Sequence, residues 1–339
     1  MKGKSGRIIY LFLMGGLALL FVVLIALDLY YVGDAEAKNP TYKTYERHYA
    51  FISNSDYNGE IWENIFQGAH VCGEEAGVYV EWFGKNLVES YSKQQLMELA
   101  IAAGVDGIIV EGDDSSEMNT LINRAIESGI PVVTVLKDCY GSYRNSFVGM
   151  SSYNLGQEYG NLLTRMRTPD EKELLVVIHS GENDSSEKLI YAGIKETISG
   201  ITNEGIEVNT MIVDGSTTYG IEESLRNYMV DASELPDITV CLDEQTTEIM
   251  AQLAVDYNRV GQTRLVGFYE SGHILQSIQS GVTAATITVD AAGMGQTAVT
   301  ALEEYHESGY VSDYIPAELF IISLENVSDY SDSGEDMEE

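Results

Sequence analysis

The sequence is poor in basic residues, cysteine and proline, and each scarcity narrows what the chain can be. Nineteen lysines and arginines stand against 53 aspartates and glutamates, a net charge of −34. Three of the bases (Lys2, Lys4 and Arg7) precede the first acid, Asp28, so 16 bases face 53 acids over the rest, a net −37. No nucleic-acid partner is expected, because phosphate binding needs a basic footprint. The three cysteines, Cys72, Cys139 and Cys241, are far apart, odd in number and free of any C-x-x-C pair. They allow at most one disulfide, and buried single thiols are the expectation. Only five prolines, with 45% hydrophobic residues in a chain of 339, indicate a globular protein with room for two domains.

Catalytic and cofactor signatures are scarce too. There is no G-x-S-x-G, and the five histidines show no H-x-x-x-H spacing. The S-x-x-K matches at Ser90-Tyr-Ser-Lys93 and Ser185-Ser-Glu-Lys188 lack a K-T-G partner, and their serines read as helix caps. Gly293-Met-Gly-Gln-Thr-Ala298 fits the dinucleotide pattern G-x-G-x-x-A, but it follows a late strand rather than the first one. Its small residues suit close helix packing. No metal, no cofactor and no enzymatic reaction are expected.

Residues 8–27 form an uncharged apolar run of 20, the length of a bilayer-spanning helix. With Lys2, Lys4 and Arg7 before it and Asp28 after it, the positive-inside rule keeps the N-terminus cytoplasmic and exports the rest. Ala35-Glu36-Ala37 offers signal cleavage as the alternative. The run is longer than a usual signal core and the site lies far downstream, so an uncleaved membrane anchor is expected. A lipoprotein anchor there is excluded, since no cysteine sits near the end of the run. Residues 28–47 read as a polar stalk, and the acidic tail 328–339 as disordered.

Between stalk and tail, strand and helix signals alternate. Val105-Asp-Gly-Ile-Ile-Val110 and Ile130-Pro-Val-Val-Thr-Val135 are apolar runs of strand length. Between them Met118, Leu121, Ile122, Ala125 and Ile126 recur at helical spacing, with Asp114-x-x-Glu117 as the expected start and Gly129 as the stop. This is a βαβ unit of a parallel sheet. Further strands are predicted at 49–54, 78–82, 146–149, 174–179, 206–213, 238–242, 264–268, 284–289 and near 317–323. Helices are predicted at 61–75, 152–166, 186–199, 218–230, 244–257, 271–279 and 291–307, and one opening at Ser92-x-x-Gln95. The fold class is α/β, with two Rossmann-like doubly wound parallel sheets. Ligands of such sheets bind at the carboxyl ends of the strands. That rule selects 53–58, 111–113 and 137–138 in the first half. In the second half it selects 180–183, 243–245, 269–270 and Asp290, with His179 the one histidine near the crevice. Their carboxylates, amides and aromatics suit a polyhydroxylated ligand.

The order of elements resembles the type I periplasmic sugar-binding protein family, nearest its ribose-binding branch, over residues 48–324. The carriers are Gly104-Val-Asp-Gly-Ile-Ile-Val110, Ala125-Ile-Glu-Ser-Gly-Ile-Pro-Val-Val133, Gly156, Leu265-Val-Gly-Phe268 and Ala284-Ala-Thr-Ile287. The resemblance implies two lobes, 48–150 plus 290–315 and 151–289 plus 316–327, joined by a hinge near 150–152, 288–290 and 314–317. It implies a carbohydrate or similar small polar ligand held between them, with an ABC permease or a sensor histidine kinase as partner. A repressor with the same core would need a basic helix-turn-helix, where this chain has its apolar run.

The family's pocket motifs are altered. Asn58-Gly-Glu-Ile-Trp62 keeps one aromatic platform. The family's Asp-Arg appears as Leu136-Lys137, with Asp138 one place late. Its arginine falls on Ile190, its Asn-Asp on Leu242-Asp243, its next aspartate on Tyr269, and its glutamine on Val289, followed by Asp290. Either the ligand is not ribose-like, or loops shift by one residue and Asp138, Asp243 and Asp290 substitute. The resulting ligand-binding candidates are Asn58, Trp62, Lys137, Asp138, Asp243, Tyr269 and Asp290.

Overall fold

A computed structural model describes residues 22–23, 44–53, 59–87, 89, 91–179, 185–201, 206–215 and 217–331. Most of the apolar run and stalk, and Asn58, lie outside the described residues. Among those described, no helix is long and apolar enough to cross a membrane. Residues from Tyr45 onward form one compact unit.

The first half alternates β1 (Arg47–Ile52), α1 (Glu60–Ala76), β2 (Val78–Trp82), α2 (Lys93–Ala103), β3 (Gly107–Glu111), α3 (Ser116–Glu127), β4 (Val132–Leu136) and β5 (Ser146–Gly149). Next come α4 (Ser152–Met166), β6 (Glu173–His179), α5 (Ser185–Ile201), β7 (Glu207–Val213), α6 (Thr218–Asp231), β8 (Ile238–Cys241) and α7 (Glu244–Asp256). The chain ends with β9 (Arg264–Phe268), α8 (Gly272–Gln279), β10 (Thr283–Val289), α9 (Ala291–Ser308), β11 (Tyr314–Pro316), β12 (Leu319–Ser323) and α10 (Ser328–Ser331).

Two six-stranded sheets result, ordered β11-β5-β4-β3-β1-β2 and β12-β10-β9-β8-β6-β7. The first is parallel throughout. The second is parallel except for β12, which runs antiparallel to β10. The expectation of wholly parallel sheets is therefore corrected at one edge. The strand expected near 317–323 is β12, while β11 lies where only a hinge crossing was expected. The chain passes between the two sheets at 149–152, 289–291 and 316–319.

Burial on both faces explains the apolar strands. In β3, Ile109 joins one core cluster while Ile108 and Val110 join another, as a period of two requires. Helix starts follow local chemistry. Ser92 and Gln95 form the expected capping box on α2. The expected Asp114 cap is corrected: Ser115 caps α3, its hydroxyl accepting Met118 N–H at 3.1 Å, and Asp113 braces Ser115. The Gly293-to-Ala298 motif serves packing, because a Cβ on Gly295 would overlap the Ile65 carbonyl where α9 crosses α1. The tail begins ordered, since Val327 and Tyr330 pack with Ile274 and Ile278 of α8. All three cysteines are free thiols.

Candidate functional site

The carboxyl ends of both sheets open onto one cavity of about 340 Å³. That is within the size range of small-molecule sites. The first half contributes Ile61 and Trp62 from the start of α1, Glu111 after β3, and Leu136 and Lys137 after β4. The second contributes His179, Glu187, Asp243, Glu244 and Gln245, with Ile190, Leu242 and Phe268 between them. Met150, Ser152 and Val289 line it where the chain passes from one sheet to the other. The wall is thus largely apolar, with polar groups placed at strand ends.

Charge on the first side is paired. Lys137 Nζ lies 3.7 Å from Glu111, which also faces Lys93 at 3.6 Å. On the second side, Glu187 accepts the His179 backbone N–H and pairs with His179 Nδ1, both at 2.7 Å. His179 Nε2 then faces Asp243 at 3.7 Å. Burial pulls the His179 pKa down, but the Glu187 hydrogen bond and the charges of Asp243 and Glu187 outweigh it and raise the value. Ligand atoms of these three residues lie within 4.8 Å of one another, a spacing a metal ion can bridge. Their oxygens are otherwise engaged, those of Glu187 by His179 and those of Asp243 by Thr246, so no metal ligand is assigned.

Gln245 is 92% buried (8% exposed), and its Nε2 has no hydrogen-bond partner among the described residues. A buried amide without a partner is uncommon in folded proteins and sets Gln245 apart from the other polar residues of the lining.

A family model described as a periplasmic binding protein domain matches residues 49–308. The chain belongs to that family. No curated protein sequence matches the chain. Solved structures with the same fold include GanP, a glucose-galactose binding protein from Geobacillus stearothermophilus. It is 21% identical, with 83% of this chain and 98% of that one covered at a TM-score of 0.73. A carbohydrate transporter from Acidothermus cellulolyticus, solved with myo-inositol, is 19% identical over 86% and 98% of the two chains, at 0.70. XylFII in complex with LytSN is 22% identical over 82% and 98%, also at 0.70.

Of the residues expected at the site of this periplasmic binding protein, Trp62, Lys137 and Asp243 line the cavity. Trp62 also packs edge-on against Phe51 in the core. Asp243 caps α7 as well, accepting Thr246 N–H at 2.8 Å. Three expectations are corrected. Asp138 is buried away from the cavity, where it accepts Arg144 Nε and Nη2 at 2.5 and 2.6 Å, Thr134 Oγ1 at 2.9 Å and its neighbour's N–H. A tight turn centred on Leu136 (φ +63°), closed by Lys137 N–H to Val135 O at 2.7 Å, sends Lys137 to the cavity and Asp138 to the core. Tyr269 is buried and its hydroxyl accepts Asn64 Nδ2 at 2.6 Å, outside the lining. Asp290 caps α9 through Gly293 N–H at 2.8 Å and does not line the cavity either.

The sequence candidates omitted Glu187, Glu244 and Gln245 as individual ligand residues. The strand-end rule had reached the last two, since 243–245 follows β8. Glu187 had no such signal, as it sits on the first turn of α5 and acts through a residue of another element.

Proposed function

We propose that this chain is an extracytoplasmic solute-binding protein that captures a carbohydrate or polyol between its two sheets and performs no chemistry on it. The cavity carries this reading. It has room for one small molecule, an apolar wall with Trp62 for a C–H face, and polar lining residues such as Gln245 and Lys137 for hydroxyls. Neighbours of the same fold are named for glucose and galactose or were solved with myo-inositol, which supports the ligand class.

The passages at 149–152, 289–291 and 316–319 serve as the hinge between an N-terminal lobe (48–150 plus 290–315) and a C-terminal lobe (151–289 plus 316–327). Ligand in the cleft favours the closed form, which a membrane partner reads. The apolar run at 8–27 keeps the protein beside that partner as a membrane anchor. An ABC permease is the first candidate partner, in line with the neighbour named as a carbohydrate transporter. The alternative is a ligand-sensing subunit for a sensor histidine kinase with a non-sugar ligand; the neighbour solved as a complex with a second protein supports only that this fold can serve a protein partner.

Thermal-shift titration of the full chain tests the ligand class, since a ligand at a hundred times its Kd stabilises the folded state by about 2.7 kcal/mol. The panel is D-glucose, D-galactose, D-xylose, L-arabinose, myo-inositol, amino acids and amines. A rise in Tm with a sugar or inositol is expected. A rise with amino acids or amines alone moves the assignment to the non-sugar alternative, and no rise with any of them sinks both.

A further inference from the structure

Helix α1 begins at Gly59, which has no side chain to cap it. The first N–H groups of a helix have no partner within it. Here they are capped from the other sheet. Glu244, at the start of α7, accepts Glu60 N–H at 2.9 Å and Ile61 N–H at 3.3 Å. The favour is returned, because Glu60 carboxylate oxygens accept Gly272 N–H at the start of α8, at 3.2 and 3.4 Å. Asn64 to Tyr269 makes a third bond across the same seam. None of these bonds involves a ligand.

We propose that Glu244 and Glu60 form a reciprocal latch that fastens the two lobes to each other, each carboxylate capping a helix from the opposite half of the chain. Both oxygens of Glu244 are engaged at the start of α1, and Glu60 in turn ties α1 to the start of α8.

Hydrogen exchange on the full chain, with no ligand added, reads the latch directly and independently of the ligand assignment. Glu244→Ala should deprotect both the Glu60 and Ile61 amides and the Gly272 amide, although Glu244 touches only the first two. Deprotection of Glu60 and Ile61 alone would reduce Glu244 to a local cap and overturn the latch, as would no change. If Glu244→Ala unfolds, Glu60→Ala, at an exposed position, carries the same test in reverse, with Ile61 as the remote reporter.

Discussion

Glu187 grips His179 twice, by its backbone N–H and by Nδ1, and so aims Nε2 at Asp243 across 3.7 Å. The imidazole is fixed as one would fix a ligand-facing group, with its inner nitrogen committed and its outer nitrogen presented to the cavity.

A raised histidine pKa has a definite sign for stability. The pairing stabilises the fold fully below the ordinary value of 6.5 and is lost as pH rises through the raised one. An NMR titration should place the His179 midpoint above 6.5, and Glu187→Gln should lower it. The Tm gap between wild type and His179→Gln should be wider near about pH 6 than near about pH 9. A wild-type midpoint at or below 6.5 would show that Glu187 does not hold the imidazolium.

Asp138 belongs to the core. Asp138→Ala leaves Nε and Nη2 of Arg144, whose side chain is only 11% exposed, without their carboxylate, and only the Nη1 bonds to Asp313 remain. Breaking a buried pair from one side costs about 3–5 kcal/mol. Urea denaturation should show a loss of that size. Sugar affinity of the folded fraction, measured by calorimetry below the new melting point, should be unchanged, and a selective loss of affinity would return Asp138 to the site.

Gln245→Leu should do the reverse. Its Nε2 has no hydrogen-bond partner among the described residues, so folding stability should hold within about 0.5 kcal/mol. Affinity for whichever sugar of the thermal-shift panel binds should fall about tenfold, the worth of one lost hydrogen bond of about 1–1.5 kcal/mol. Unchanged affinity would remove Gln245 from the site.

Gly295→Ala tests the packing explanation of the dinucleotide-like motif. A methyl group forced into the Ile65 carbonyl should destabilise by about 1–3 kcal/mol by chemical denaturation. A neutral result would mean that the helix crossing relaxes freely and that the glycine is held for another reason.

Much of the architecture was legible because buried parallel strands are apolar runs. The runs at 78–82, 146–149 and 264–268 match β2, β5 and β9. The edge strand β2 was legible too, but no periodicity tells that Tyr314–Pro316 joins one sheet while Leu319–Ser323 turns antiparallel in the other. At the site, the strand-end rule located the neighbourhood but not the facing. Lys137 and Asp138 are adjacent, and the left-handed Leu136 decides which of them meets the cavity, a backbone state that no side-chain pattern announces for leucine. Glu244 was hidden differently. Beside Asp243 it reads as one more acid on a helix N-terminus, and its cap on α1 is joined only by tertiary folding across 184 positions.

Each sheet is finished by one of the last two strands made. β11 closes the edge beside β5, and β12 covers β10. In a chain emerging N-terminus first, the flanks of β5 and β10 therefore stay bare until residues 314–323 appear. Such unpaired flanks invite strand exchange with other chains. The two sheets therefore reach their final width together, as one short stretch of chain, 314–323, is laid down.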